Sequence, residues 1–356
     1  MVRILALAFL PVLTLGGDMK LQAPTYSGRL PPGFSGFAVL DTSGAACFLS
    51  DSGDRVIAYA WQSGTLKRTY DLPRLDSALT RHDSLSQCGF SLWGDVDGDR
   101  IDEFVVAIDR TISKYKLING TLALVAQTNL SLPADSHRLW VTDGCIGDID
   151  NDGRNEILIS ATSLRPPDYG PDYGDDSAGP DILLVCRWKQ DTLLQIWNDG
   201  GMLQIGQGSM RAVADPRNTG ANRLILLEGE GDDVHASLFR EVELKDGRFH
   251  EDGTFRFRRG QLHRDQPDQD NTEAFRAATD RLFGKVKGKT AILADIFADD
   301  KGNEELYMFS GDSVTEHIVL WPGPWTAEFA DLDGKGVGIL RLPPYGDGSR
   351  FEFYRL

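Results

Sequence analysis

Two segments of the chain carry oxygen-bearing side chains at a spacing suited to a metal ion. In GDVDGDRIDEFVVA, which starts at Gly94, carboxylates fall at Asp95, Asp97, Asp99 and Glu103. In GDIDNDGRNEILIS, which starts at Gly147, they fall at Asp148, Asp150, Asp152 and Glu156. Counted from the first aspartate, these are positions 1, 3, 5 and 9 of a loop. Alternate residues on a tight loop turn their carboxylates into one concavity, and calcium accepts six to eight hard oxygens in flexible geometry. A backbone carbonyl at position 7, from Ile101 or Arg154, would add a ligand. Position 6 makes the sharp turn. Gly153 takes it at no steric cost in the second loop, whereas Arg100 stands there in the first. An EF-hand begins similarly but closes with glutamate at position 12, where this chain has Val106 and Ile159. Apolar β-formers follow both loops, where an EF-hand needs a helix. The expected chemistry is calcium held on a β-hairpin.

The two loops are copies of one unit, 53 residues apart. Weaker copies keep the frame and lose acids: one from Asp41, one from Asp215, one around Asp299 to Glu305, and one from Asp331. The Asp331 copy has Lys335 at position 5 and Ile339 at position 9, so no metal is assigned to it. A period near fifty with several strands in each unit signals a propeller or a β-array. Within the first good unit, strands are expected over residues 88–93, 104–108, 112–118 and 121–126, with Asn119-Gly120 as a strong hairpin turn. The second unit repeats the plan over 140–145, 156–159, 182–188 and 193–197. Four antiparallel strands per unit make a propeller blade. The expected fold is therefore an all-β propeller of six or seven four-stranded blades over residues 35–356. Insertions are expected at 164–180 and 259–289, the second containing a helix over 272–283. The last unit is one strand short, and a strand from the 18–34 segment, within 19–27, is expected to close the ring. Trp93, Trp140, Trp188 and Trp197 are expected to pack between blades.

The pattern Gly-Asp-x-Asp-x-Asp-Gly-x-x-Glu followed by apolar residues resembles the FG-GAP or VCBS repeat of integrin α-chain heads and secreted bacterial propellers. Two copies match well and four in frame only. The resemblance implies a propeller with calcium clasped between the first two strands of a blade. It carries Asp95, Asp97, Asp99, Glu103, Asp148, Asp150, Asp152 and Glu156 over as ligands.

Composition narrows the function classes. The chain has 356 residues, 38 of them glycine, and a formal charge of −16. So acidic a surface repels phosphate backbones, which argues against a nucleic-acid partner. Arg3 followed by an uncharged run over 4–15 and by Gly16-Gly17 reads as an export signal over 1–17, giving a secreted, extracellular or periplasmic protein. No later run is apolar enough to span a membrane. Cys47, Cys88, Cys145 and Cys186 permit two disulfides in any of three pairings, or serve as small buried thiols.

No nucleophile elbow, zinc-protease helix or phosphate loop is present, and the six histidines share no motif spacing. A repeated Pro-Asp-Tyr-Gly within 166–180 places Tyr169 and Tyr173 on a loop. Such tyrosines suit recognition, although loops also tolerate idle insertions. The expectation is a non-enzymatic module for recognition, adhesion or scaffolding, with a protein or glycan partner at the cell surface. The alternative is a polysaccharide-acting enzyme, a lyase or glycoside hydrolase, on the same calcium-stabilised frame.

Overall fold

A computed structural model describes residues 23–73, 89–131, 138–165, 177–189, 192–198, 209–229, 236–245, 248–258, 261–264, 274–276, 283–298, 301–311, 313–322, 326–342 and 350–356. The expected export signal over 1–17, Cys88, Tyr169 and Tyr173 lie outside them.

The first described strand is the short β1 (Tyr26–Gly28), which only overlaps the end of the expected 19–27 strand because residues 23–25 are not strand, and blades follow it one after another. Blade 1 comprises β2 (Phe34–Val39), β3 (Ala46–Ser52), β4 (Arg55–Gln62) and β5 (Thr65–Pro73). Blade 2 comprises β6 (Gly89–Gly94), β7 (Glu103–Ile108), β8 (Thr111–Ile118) and β9 (Thr121–Asn129). Blade 3 comprises β10 (Arg138–Gly147), β11 (Glu156–Arg165), β12 (Ser177–Lys189) and β13 (Thr192–Asn198). Blade 4 comprises β14 (Ser209–Ala214), β15 (Arg223–Gly229), β16 (Ala236–Lys245) and β17 (Arg248–Arg258), with β18 (Gln261–Arg264) added on its outer edge. After the short β19 (Ala274–Arg276) comes blade 5, made of β20 (Phe283–Val286), β21 (Lys289–Ala298), β22 (Lys301–Ser310) and β23 (Ser313–Pro322). Blade 6 comprises β24 (Thr326–Ala330), β25 (Gly338–Leu342) and β26 (Phe351–Arg355). Its fourth strand is β1, paired antiparallel with β26 through Tyr26–Phe353 and Gly28–Phe351. The protein is a six-bladed propeller of four-stranded antiparallel sheets, closed by its own N-terminal strand.

Why such strands form is visible in the second strand of each blade, which is apolar on both faces. On β7, Phe104 and Val106 pack toward blade 1 with Ala38, Leu49 and Leu72. The intervening Val105 and Ala107 pack toward blade 3 with Val141, Ile157 and Ile159. Alternation along a strand points successive side chains to opposite faces, so a strand between two neighbours reads as one continuous apolar run. Trp188 closes the cluster between blades 2 and 3, with Lys114 Nζ 5.1 Å above its ring. Trp93 packs against the cluster between blades 1 and 2.

Near the axis, neighbouring blades approach too closely for side chains on both. A Cβ on Gly144 would lie 2.2 Å from the Phe90 ring of β6, and one on Gly147 would lie 2.3 Å from Val213 of β14. Glycine there leaves room for the neighbouring blade's side chain to fill the space.

Two expectations change. The segment over 272–283 was expected to be helical, but Ala274–Arg276 is strand. The reason is tertiary: β20 pairs only with Lys289–Ile292, which leaves the far end of β21 open. β19 covers it through Phe275–Ile296 and also meets Ala236 of β16, so blades 4 and 5 share one hydrogen-bonded sheet. The Asp299 marker is also out of phase. Asp299 and Asp300 lie outside the described residues, and the rest of the marker, Lys301 to Glu305, falls within β22, the third strand of blade 5, paired with β21. The loop in phase with the others is the tight turn at Lys287-Gly288. Among the described residues no helix is long and apolar enough to cross a membrane.

The close approach at the axis is directly testable. Gly144→Ala is expected to destabilise the fold by about 1–3 kcal/mol through overpacking against Phe90. Urea unfolding that matches wild type would show that the ring yields there without strain.

Candidate functional site: the acidic loops of blades 2 and 3

Each acidic loop joins the first and second strands of its blade, between Gly94 and Glu103 in blade 2 and between Gly147 and Glu156 in blade 3. Position 1 organises the loop. Asp95 accepts hydrogen bonds from the N–H groups of Gly98 (2.7 Å) and Arg100 (2.9 Å). Asp148 accepts from Asp152 (3.0 Å) and Gly153 (2.9 Å). Asp215, whose loop has lost its other acids, does the same for Thr219 and Gly220. The backbone takes positive φ at positions 4 and 6 in both acidic loops: Gly98 and Arg100 in one, Asn151 and Gly153 in the other. Arg100 therefore holds at φ 69° a conformation that Gly153 adopts freely.

The carboxylates converge. Ligand atoms of Asp95, Asp97 and Asp99 lie within 4.8 Å of one another, as do those of Asp148, Asp150 and Glu156. Clusters of this kind could hold a metal ion. Glu103 and Asp152 stand outside these tightest groups but face the same concavities through shared basic partners. Ile101 and Arg154 lie in the loops, each donating its N–H at 2.9 Å to the aspartate two residues earlier.

The glutamates at position 9 are fully buried, at 0% exposure. Each turns Oε2 back to the N–H of position 2, Val96 at 3.0 Å and Ile149 at 3.1 Å. Burial pushes Glu103 up to about 7, against the opposing pull of the Val96 N–H and Lys116. It raises Glu156 likewise, opposed by Arg187 and the Ile149 N–H.

What the sequence did not disclose is a basic side chain inside each cage. Phe104 pairs with Tyr115 and Ile157 with Cys186, so the next register step sets Glu103 opposite Lys116 and Glu156 opposite Arg187. Lys116 Nζ lies 3.0 Å from Asp97, 2.5 Å from Asp99 and 3.0 Å from Glu103 Oε1. Lys114 adds a second ammonium 3.7 Å from Asp97. Arg187 spans Asp150 and Asp152 at 2.9 Å each and donates Nε to Glu156 at 2.6 Å. Burial alone would lower the Lys116 amine, yet Asp99, Asp97 and Glu103 hold it well above its ordinary value. Asp97 is raised by burial but brought below the usual carboxylate range by Lys116 and Lys114.

The same arrangement recurs with other charges. In blade 6, Arg355 of the third strand holds Asp333, at position 3, through contacts of 2.7 and 2.6 Å. In blade 4 the signs reverse. Arg217 and Arg223 occupy positions 3 and 9, and the fully buried Glu241 of the third strand lies 2.8 Å from Arg217 and 3.5 Å from Arg223.

A second feature escaped sequence reading. Position 8 reaches back to the preceding blade. Asp102 pairs with the Val39 backbone of blade 1, accepting at 2.8 Å and donating at 2.7 Å. Asn155 donates to the Asp95 carbonyl (2.6 Å) and Asn222 to that of Asp148 (2.8 Å). The sequence signal was an Asp or Asn in phase just before position 9.

Elsewhere, Glu305 joins His317 Nε2 (2.7 Å) and the Tyr307 hydroxyl, and His317 stacks on Tyr307 at 4.5 Å. Tyr307 and Glu305 are buried while the His317 ring is partly exposed, so the cluster runs from the core to the surface of blade 5. Cys47 and Cys186 are buried thiols, pushed by burial up to about 11 and about 12.

No protein-family model matches the sequence, and no curated protein does either. In fold, the chain is similar to BBS1N from its complex with ARL6DN, at 11% identity over 94% of both chains with a TM-score of 0.43. It is also similar to Raptor from Chaetomium thermophilum, at 10% identity over 94% of this chain and 29% of Raptor, with a TM-score of 0.45. Likeness at this level concerns fold alone.

The latch at position 8 can be weighed. Asn222→Ala is expected to cost about 1 kcal/mol by leaving the Asp148 carbonyl without its donor. Asn222→Asp, which keeps the size but cannot donate, is expected to cost at least as much. Unfolding free energies unchanged in both would remove the latch from the account.

Proposed function

We propose that the chain is an exported recognition or scaffold propeller that presents its loop-bearing rim to a protein or glycan at the cell surface. Calcium is its structural ion, held in one or both acidic loops. The observation that supports this reading is the continuity of the rim. Loops from blades 1 to 4 are fastened to one another through Asp102, Asn155 and Asn222, so they present one preorganised surface. Binding to a preorganised surface spares the entropy of ordering loops.

The donor set suits a hard divalent cation. It consists of oxygens alone, it converges within 4.8 Å, and the buried Glu103 Oε1 has no aligned hydrogen-bond donor. Asp95, Asp97, Asp99 and Glu103 would hold the ion in one loop, and Asp148, Asp150, Asp152 and Glu156 in the other. The ion would supply charge neutralisation and rigidity rather than reaction chemistry. The order of Arg3, the uncharged run over 4–15 and Gly16-Gly17 supports export, which would put the protein outside the cytoplasm.

Screening the purified protein on glycan arrays and against cell-surface ectodomains tests the recognition role. The expected result is a specific ligand whose hydrogen-exchange footprint falls on the loops of blades 1 to 4. Chain cleavage of a uronate polymer by the protein would instead establish the enzymatic alternative.

Calcium is tested by melting. A ligand that binds only the folded state at ten times its dissociation constant stabilises by about 1.4 kcal/mol. Millimolar calcium is therefore expected to raise the melting temperature over chelator in wild type and to do so less in Asp150→Ala. Coincident wild-type curves at every calcium concentration would reduce the loops to ordinary turns.

A further inference from the structure

We infer that Lys116 and Arg187 are tethered competitors of calcium, each filling the cation position of its own loop, so that the ion enters only by displacing them. The inference rests on the reading of these loops as calcium sites and adds what sets their affinity.

Three observations carry it. The first is geometry: Arg187 engages the carboxylates of positions 3, 5 and 9 at once, and Lys116 lies against the same three positions in its loop. Those are the side chains a calcium ion would need. The second is the charge-reversed copy in blade 4, where arginines at positions 3 and 9 are met by Glu241 from the third strand. A loop lined with arginines cannot hold a cation, yet the ion pair from third strand to loop is kept. The pair is thus a working element in its own right, and the basic residues of blades 2 and 3 are its cationic form. The third is Glu103 Oε1, fully buried, aimed into the cage, and given an ammonium at 3.0 Å without an aligned hydrogen bond. Lys116 supplies charge there but leaves coordination incomplete.

Competition has a definite consequence. If the open, competent form of a site is populated a tenth of the time or less, its apparent dissociation constant rises by about tenfold or more. Replacing the tethered cation by an uncharged side chain of similar reach removes that penalty. It also leaves the carboxylates unneutralised, so the stability of the variant should depend on calcium more steeply than that of wild type.

The experiment is calcium titration by calorimetry, with melting curves in calcium and in chelator, on the full chain. Wild type is compared with Arg187→Met, Lys116→Gln and the double variant Arg187→Met/Asp150→Asn. Arg187→Met is expected to bind calcium at least about tenfold more tightly than wild type. It should melt lower than wild type in chelator and recover in calcium. Adding Asp150→Asn should remove the gain, locating it in the blade 3 loop. If Arg187→Met fails to fold without metal, Lys116→Gln carries the same comparison, because Lys116 is partly exposed and its loop keeps Lys114. Equal affinities in wild type and variants would overturn the competition while leaving the calcium reading standing. Absence of calcium binding in every protein would overturn both.

Discussion

A carboxylate cut off from water heads the second strand in two consecutive blades, and much of the rim is arranged to meet its needs. Glu103 and Glu156 are each given a backbone N–H from position 2 and a cation from the third strand. An uncompensated buried charge is among the most expensive features a fold can contain, and removing one member of a buried pair is strongly destabilising. The N–H bond fixes how the loop leaves the first strand. The ion pair fixes the third strand against the second at the same level. One buried group thereby sets the loop path, the blade's upper register and the orientation of the carboxylates above it.

From blade to blade, two kinds of contact transmit this order. Apolar clusters join blades 1 to 2, 2 to 3, 3 to 4, 5 to 6 and 6 to 1, with alternate residues of one strand serving the blade on either side. Polar latches at the rim then tie loop to loop. Closure is the remaining requirement, because a ring of blades has two raw ends. β1 meets it by pairing with β26, and Tyr26 adds a hydroxyl contact of 2.7 Å to Asp333 in the blade 6 loop. The first described strand and the last therefore share one sheet.

The repeat period, the four-strand plan of blades 2 and 3 and the closing N-terminal strand were legible because each has a local signature: acids in phase, a hairpin Asn-Gly, a missing strand. What escaped notice depends on cross-strand register. Lys116 could be placed opposite Glu103 by counting through a short hairpin. Arg187 could not be placed opposite Glu156, because the 164–180 insertion hides the count between β11 and β12. The acids around Asp299 misled for a related reason: composition marks an acidic run without saying which part of the blade it belongs to. The segment over 272–283 has helical periodicity, but the unpaired edge of β21 outweighed that local preference, as tertiary context often does.

The two acidic loops are not electrostatic equals, although their carboxylate patterns match. In blade 2 the four carboxylates face two ammonium groups, Lys116 and the more distant Lys114, the latter also held over the Trp188 ring. In blade 3 the same number face, among the described residues, the guanidinium of Arg187. The blade 3 loop thus keeps the larger surplus of negative charge, and Gly153 lets it adopt its backbone path without the left-handed arginine that blade 2 must tolerate. Arginine also binds differently from lysine: its planar fork contacts three carboxylates in fixed directions, whereas an ammonium is a point charge that moves freely. Displacing Arg187 therefore breaks several directed bonds, while displacing Lys116 loses mainly charge. Surplus charge favours a divalent ion in blade 3, and the quality of its resident ion pair opposes one there. The preference between the loops is the difference between these two terms, both set by residues on the third strand rather than by the loop motif itself.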